Sequence, residues 1–286
     1  MQKLFLFLFI SIAVVSCQKE NDDTPPPPPP EPSKTELNVA YGADPKQTLD
    51  AYLPAGRKTT TTKVIIFIHG GGWSGGDKSE LTQFVDTIKN RLPDWAVLNI
   101  NYRLATGAPN LFPTQELDVK KAIEFIYSKR SEYGISDKFV LLGASAGGHL
   151  SCLHAYKYNS PVKIKAVVDF FGPTDLVDMF NNPANFLVPF QLMSVTGGTP
   201  TTIPTIYADA NPLNYITAQS PPTIILHGGA DIVVLPSQSV LLKNKLTSFG
   251  VSNQYIFYPT ENHGWAGTNM TDSFDKIVSF LNTHVN

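Results

Sequence analysis

The sequence of 286 residues lacks an excess of basic side chains. It contains 22 Lys and Arg against 24 Asp and Glu, which gives a formal net charge of -2 and a pI near 6.3. A protein that binds nucleic acid needs a surplus of Lys and Arg to neutralise phosphates. We therefore exclude nucleic acid as the main partner.

Long apolar runs are also scarce. The run from Leu4 to Val15 follows Lys3 at the start of the chain, and it is shorter than the roughly 20 apolar residues that a membrane-spanning helix needs. A basic residue followed by a short apolar stretch is typical of a secretory signal peptide, which is absent from the mature protein. We predict a signal peptide over residues 1–16.

Cysteine occurs only twice, as Cys17 and Cys152. Residues 14–17, VVSC, resemble the lipobox of bacterial lipoproteins, whose cysteine is lipidated; the alternative is an ordinary signal peptide in which Cys17 is incidental. With Cys17 lipidated, Cys152 is the remaining thiol and no intramolecular disulfide can form. The acidic stretch 18–23 is similar to a surface-export signal. We expect an exported lipoprotein, held by its acyl chains on the outer membrane or cell surface of a Gram-negative bacterium.

Sequence patterns for bound metals and nucleotides are lacking as well. No cluster of Cys and His has the spacing of metal ligands. The glycine-rich run at 69–73, HGGGW, matches neither the phosphate-loop pattern G-x-x-x-x-G-K-[ST] nor the dinucleotide pattern G-x-G-x-x-G. We expect neither a metal nor an organic cofactor.

Proline is concentrated in one segment near the start of the chain. Residues 24–34 read TPPPPPPEPSK, and such a run forms a stiff extended spacer of roughly 3.1 Å per residue. We predict a lipidated cysteine and tether over 17–36, followed by one catalytic domain over 37–286, because no second linker or repeat follows.

The domain alternates apolar runs with amphipathic stretches. Continuous apolar runs are typical of parallel strands buried on both faces, whereas the alternating polarity of residues 48–53 indicates an exposed strand. The pattern predicts a mostly parallel α/β sheet with helices on both faces and functional loops at the carboxyl ends of its strands. Residues 176–220 interrupt it and predict a small cap or substrate loop. The buried strands are expected at 64–68, 96–100, 139–143, 166–171 and 223–228, and the helices at 78–91, 114–133, 146–158, 236–249 and 271–284.

Ser145 lies in Gly143-Ala144-Ser145-Ala146-Gly147, between a predicted strand and a predicted helix. This is the G-x-S-x-G pattern of a nucleophile elbow, in which small neighbours make room for an exposed hydroxyl in a sharp, strained turn. The alternative is a merely tight turn of small residues. We predict Ser145 as a catalytic nucleophile.

A serine hydroxyl needs a base to take its proton, and that base needs a carboxylate to orient it. His263 follows a strand-like run and precedes the last helix, so we predict it as the base. His149 and His154 share a helix with the serine, His227 closes a strand and His284 lies in the terminal helix; packing, capping or structural roles are expected for these four.

Asp231, just past the strand at 223–228, is the predicted carboxylate, because it completes the chain order Ser, Asp, His. Asp175 is the runner-up, with a turn-capping role as its alternative. Asp169 lies inside an apolar run and is expected to be a buried structural acid.

The oxyanion of an acyl-transfer intermediate needs hydrogen-bond donors. Glycines after the strand at 64–68 allow the main chain to approach a substrate oxygen, and we assign the donors to Gly71, Gly72 and Ala146. Trp73 is a candidate substrate-binding residue, as a further donor or as a wall of the acyl pocket.

Together these segments resemble the α/β-hydrolase superfamily, in the esterase and lipase branch that carries an HGGGW oxyanion motif. The resemblance covers essentially the whole chain after the tether and implies Ser145, Asp231 and His263 as a triad. Its members include carboxylesterases, xylan acetyl and feruloyl esterases, and kynurenine formamidases, so the substrate stays open.

We expect a carboxylic ester hydrolase that removes acetyl or other small acyl groups from carbohydrate or small-molecule esters, with plant polysaccharide as one such partner. The short cap favours small acyl groups. Two other classes remain: a non-catalytic glycan- or protein-binding module on the same fold, and a serine peptidase or arylformamidase-type amide hydrolase. The oligomeric state is not predicted.

Overall fold

A computed structural model describes residues 30–286 of the chain. The predicted signal peptide, Cys17 and most of the predicted tether lie outside the described residues. Within residues 30–286, none of the helices combines the length and the apolar character needed to cross a bilayer.

Eight strands of the described chain form one sheet, in the order β1-β2-β4-β3-β5-β6-β7-β8. The first two are antiparallel to their neighbours and the other six run parallel. This agrees with the predicted mostly parallel sheet. The strands are β1 Lys34–Ala40, β2 Thr48–Leu53, β3 Val64–Ile68, β4 Ala96–Ile100, β5 Phe139–Ala144, β6 Ala166–Phe170, β7 Thr223–Gly228 and β8 Asn253–Tyr258.

The five predicted helices are present to within a few residues at most ends, and three further helices lie within residues 176–220, where the sequence predicts a small cap or substrate loop. The helices are α1 Thr82–Arg91, α2 Thr114–Ser128, α3 Arg130–Tyr133, α4 Ala146–Lys157, α5 Leu176–Asn181, α6 Val188–Thr196, α7 Pro204–Asp209, α8 Ser237–Ser248 and α9 Gly267–His284, with 3-10 turns at Lys78–Leu81 and Pro212–Tyr215.

Helices cover both faces of the sheet and create two apolar cores. Apolar side chains of α2, α4 and α8 pack on one face, and those of α1 and α9 on the other. Apart from Ala144 at the end of β5, all residues of β3, β4, β5, β6 and β7 are buried, because both faces of these strands are covered. The continuous apolar runs in these strands follow from this double burial.

Two expectations about the first strands need correction. The tether was predicted to extend to residue 36, but β1 begins at Lys34, and the Gly56 N–H donates to the Glu31 carbonyl just before it. The strand at 48–53 was expected to be exposed, but Leu49, Ala51 and Leu53 are buried. The reason is that these three side chains share one face of β2 and belong to the apolar core that includes residues of α2, α4 and α8.

The chain reverses its direction of travel across the sheet between β3 and β5. From β3 it moves outward to β4, and then returns to place β5 on the other side of β3. Such a reversal opens a crevice at the carboxyl ends of the two strands, where ligands bind in open α/β sheets. The glycine-rich run and Ser145 follow these two strands.

Candidate active site

Ser145 lies in a sharp turn between β5 and α4. Its backbone has φ 56° and ψ −122°, a conformation that side-chain-bearing residues rarely adopt. The Ser145 N–H donates to the Phe170 carbonyl at 2.8 Å, and the Ser145 carbonyl accepts from the His149 N–H. The neighbouring strand and the following helix therefore hold the strained turn in place.

The glycines on either side of this turn are required by space. A Cβ at Gly143 would lie 2.1 Å from the Gly147 carbonyl oxygen, and a Cβ at Gly147 would lie 2.0 Å from the Ile68 carbonyl oxygen. These distances are far below any van der Waals contact. The pattern around Ser145 thus arises because α4 begins directly against the ends of β3 and β5.

The structure brings Ser145, His263 and Asp231 together from three separate loops. The His263 Nε2 is 2.9 Å from the Ser145 Oγ, and the His263 Nδ1 is 2.7 Å from the Asp231 Oδ2. Each loop follows a strand of the parallel sheet, so the three side chains meet at its carboxyl edge. This is the hydrogen-bonded order that a serine, its base and an orienting carboxylate require.

Asp231 is buried, and its surroundings favour the ionised form. Burial alone would raise its pKa, but hydrogen bonds from His227 and His263 outweigh that effect and hold the pKa of Asp231 far below its ordinary value. The other carboxylate oxygen accepts from the main-chain N–H groups of Val233 and Val234 at 2.8 and 2.9 Å. Asp231 therefore presents a fixed negative charge to the His263 ring.

The two other candidate acids are used structurally. Asp175 accepts from the N–H groups of Val177 and Asp178 and caps α5, which was the alternative role considered for that residue. Asp169 is fully buried in β6, where one oxygen accepts from the Gly172 N–H and the other has no hydrogen-bond partner among the described residues. Burial raises the pKa of Asp169 to about 7.

The glycine-rich loop that follows β3 has an unusual backbone. Gly71, Gly72 and Trp73 have φ values of 94°, 56° and 59°. In the described residues, the N–H groups of Gly71, Gly72 and Ala146 donate to no protein acceptor. All three belong to segments next to Ser145.

The Trp73 side chain, at the end of this glycine run, is packed inside the protein rather than exposed to solvent. It is buried, and its Nε1 donates to the His149 Nδ1 at 3.1 Å, while the His149 Nε2 donates to the Ala210 carbonyl. Burial lowers the pKa of His149 to about 4, which keeps the ring neutral and able to accept from Trp73. The predicted packing role of His149 thus includes support of the loop.

A cavity of about 580 Å³ opens in front of Ser145. The glycine-rich loop forms one wall, and α5, α6 and the segment after Asp231 form the others, so part of the predicted cap at 176–220 lines the site. The apolar wall consists mainly of Leu81, Pro173, Met179, Leu187, Val188, Leu192, Val233 and Val234.

Sequence reasoning missed two residues of this site. The Phe171 ring lies 4.5 Å from the His263 ring, on a residue with φ 43° that the sequence placed in a strand. Gln191 of α6 also lines the cavity, and its side chain donates to the Gly72 carbonyl. Neither residue has a sequence signal of its own, because its role depends on a neighbour far away in the chain.

The chain is similar to a known protein family and to curated esterases. A family model described as BD-FAE matches residues 49–246. The chain is 29% identical over 260 residues to Esterase LipC of Mycobacterium tuberculosis, covering 85% of this chain and 64% of LipC. It is 30% identical over 213 residues to the probable carboxylic ester hydrolase LipM of the same organism, covering 70% of this chain and 48% of LipM. The match therefore spans less than two thirds of either relative.

A solved structure of a truncated form of carbohydrate esterase from gut microbiota superposes with a TM-score of 0.74 at 28% identity. The match covers 88% of this chain and 96% of that one. This agreement over nearly the full length confirms the predicted α/β-hydrolase fold.

Proposed function

The chain belongs to the BD-FAE family, and from this premise we propose that it is a serine hydrolase of carboxylic esters. The observation that carries the proposal is the continuous contact from Ser145 Oγ to His263 Nε2 and from His263 Nδ1 to Asp231 Oδ2, at 2.9 and 2.7 Å. The similarity to LipC, LipM and a carbohydrate esterase supports it independently.

The proposed reaction is a two-step acyl transfer. His263 takes the proton of Ser145 as the Ser145 oxygen attacks the ester carbonyl, and Asp231 stabilises the imidazolium that forms. The N–H groups of Ala146, Gly71 and Gly72 stabilise the negative oxygen of the tetrahedral intermediate. His263 then gives the proton to the departing alcohol, and water releases the acid from the acyl-enzyme in a second, equivalent step.

We propose esters of carbohydrate alcohols as the substrate class, with acetyl or another small acyl group. The likeness to a carbohydrate esterase, at 28% identity over most of both chains, supports the alcohol part. An acetyl group fills only a small part of a cavity of about 580 Å³. The remaining space lies beside the cap and is available to the alcohol, including a residue of a plant polysaccharide.

The test compares the wild-type chain with Ser145→Ala on p-nitrophenyl acetate, on acetylated xylan and on feruloylated xylan. We expect acetate release by the wild type and a loss of turnover of about 10⁵-fold or more in the variant. Turnover that survives in Ser145→Ala would refute the proposed mechanism. Binding of xylan without any turnover would favour a binding module, and cleavage of peptides without cleavage of esters would favour a peptidase.

We also propose that the enzyme is a lipoprotein attached through Cys17, which lies outside the described residues. The lipobox-like stretch 14–17 and the proline-rich run that follows support this proposal. Growth with labelled palmitate should label the wild-type chain and leave Cys17→Ser unlabelled. Equal labelling of the two chains would contradict it.

A further inference from the structure

The cap makes a polar contact to the glycine-rich loop that the proposed reaction steps do not use. The Gln191 Nε2 of α6 donates to the Gly72 carbonyl at 2.8 Å and to the Ser74 Oγ at 2.9 Å. One side-chain amide therefore uses both of its N–H groups on the loop that carries two of the proposed oxyanion donors.

The loop needs contacts of this kind because its backbone is strained. Three consecutive residues, Gly71 to Trp73, have positive φ, and for a bulky residue such as Trp73 this conformation is a true outlier. A strained backbone persists only where surrounding contacts determine it. The Trp73 carbonyl is held by the Ala105 N–H at 2.8 Å, and the Gly71 carbonyl by the Gly75 N–H at 2.8 Å.

Gln191 holds the carbonyl that lies between these two. In a trans peptide group the C=O and the N–H point in opposite directions. The bond from Gly75 to the Gly71 carbonyl therefore directs the Gly72 N–H, and the bond from Gln191 to the Gly72 carbonyl directs the Trp73 N–H. Without Gln191, the peptide group between Gly72 and Trp73, which adjoins the peptide group of the Gly72 N–H donor at the Gly72 Cα, loses its contact with the cap.

The position of Gln191 is itself fixed by the apolar core. Val188, Leu192 and Val195 of α6 are buried, and their spacing anchors one side of that helix. Gln191 lies between two of them in the sequence and is directed toward the loop. A Cβ at Gly72 would lie 3.2 Å from its Nε2, so the amide packs directly against the glycine.

We propose that Gln191 is a positioning residue, which acts through the Gly72–Trp73 peptide group to hold the oxyanion loop in its reactive geometry. The proposal rests on the proposed ester hydrolase function and deepens it. It assigns to the cap a role in stabilising the transition state, in addition to lining the cavity.

The first test is Gln191→Met, which keeps the length of the side chain and removes its donors. We expect kcat to fall about 10- to 100-fold, the size of effect that a small misplacement of a reacting group produces, while KM changes less than about threefold. The matched control is Gln219→Met, the same replacement at an exposed glutamine, where activity stays at the wild-type level. Ser74→Ala removes only the Ser74 Oγ as an acceptor and keeps the bond to the Gly72 carbonyl. It should therefore lower kcat less than Gln191→Met does.

The second test separates positioning from a structural role. A trifluoromethyl ketone adds to the serine and places its oxyanion where the intermediate would place it. In Gln191→Met the inhibition constant should rise by the same factor as kcat/KM falls, and the thermal midpoint should stay close to that of the control. Gln191→Ala is the second variant, for the case in which the methionine variant fails to fold.

Three outcomes would overturn the proposal. They are activity of Gln191→Met within threefold of Gln219→Met, a change confined to KM, and unchanged affinity for the ketone despite lower activity. An enzyme that needs Ser145 but not Gln191 would refute this inference alone. Turnover that does not depend on Ser145 would refute the proposed function, and this inference with it.

Discussion

Two cavities of nearly equal volume lie at opposite edges of the sheet, about 580 Å³ at the carboxyl edge and about 570 Å³ at the amino edge. The first contains Ser145 and His263. The second lies before β3 and β4 and is lined by residues that include Arg57, Lys63 and Trp95. Volume therefore does not distinguish the two cavities.

Backbone strain does distinguish them. Among the non-glycine residues from 30 to 286, positive φ occurs at Asn38, Trp73, Ser145 and Phe171. Three of these four line the carboxyl-edge cavity and none lines the other. Strain of this kind costs stability and concentrates at functional sites, so its distribution supports the carboxyl edge as the candidate active site.

Buried polar atoms without partners occur near both edges of the sheet, since the Nε of Arg57, which lines the amino-edge cavity, also has no partner among the described residues. The His69 Nε2, beside the glycine-rich loop, and the Asp169 Oδ2, one strand from the elbow, have no hydrogen-bond partner among the described residues. Burial lowers the pKa of His69 to about 4 and raises that of Asp169 to about 7. The carboxyl edge therefore contains groups that are unfavourable for the stability of the fold.

The largest expected effect of a single change outside the nucleophile is that of Asp231→Asn. The asparagine keeps the shape of the side chain but presents an N–H to the His263 Nδ1, which forces the wrong tautomer, and kcat should fall about 10⁴-fold. Steady-state kinetics measure kcat for this variant. The matched control is Asp175→Asn, which should keep kcat near the wild-type value because Asp175 caps a helix. Near-wild-type turnover in Asp231→Asn would move the role to another acid.

The next effect is a dependence of stability on pH that is caused by Asp169. Its pKa is about 7 in the fold, mainly because burial opposes ionisation, and about 3.9 in an unfolded chain. The folded state therefore binds the proton more tightly. The resulting stability is fully present below pH 4 and is lost as the pH rises to 7, by up to about 4 kcal/mol. Asp169→Asn should lose that part of the dependence, which unfolding by urea between pH 4 and pH 8 measures. Parallel pH profiles for the two chains would show that Asp169 does not cause it.

A smaller effect concerns the strain at Ser145 itself. Glycine adopts positive φ without the cost of about 1–3 kcal/mol that other residues carry there. Ser145→Gly should therefore be about 1 kcal/mol more stable than Ser145→Ala, after allowance for the greater freedom of glycine in the unfolded chain. At Ser279, an exposed position within α9, the same pair of changes should have the opposite sign. If the glycine variant is the more stable at both positions, or the alanine variant at both, backbone strain at Ser145 does not explain the difference.

The smallest effect is expected at the amino edge. Lys63→Ala should leave kcat/KM on p-nitrophenyl acetate within about twofold of the wild type. The length of β3, roughly 17 Å, separates Lys63 from the elbow, and salt screens charges over about 8–10 Å. A larger loss would show that the two edges are coupled and would break the contrast between them.

Much of the fold was predictable because its signals are local. The buried strands appear as continuous apolar runs, and the small residues around Ser145 are required by contacts of about 2 Å that any side chain at Gly143 or Gly147 would make. The exposed character assigned to residues 48–53 was wrong, because the side chains of β2 are buried in a core shared with residues from distant parts of the chain.

The sequence by itself determined the order of elements, the sharp turn at Ser145 and the residue types that could act with it, because each of these follows from short-range sterics and periodicity. Only the tertiary structure decided which acid meets His263, how Trp73 is supported, and that a glutamine of the cap reaches the Gly72 carbonyl. Those contacts join residues from 32 to 119 positions apart. They form only when packing of the sheet brings the ends of its strands together, and a local sequence pattern does not predict that alignment.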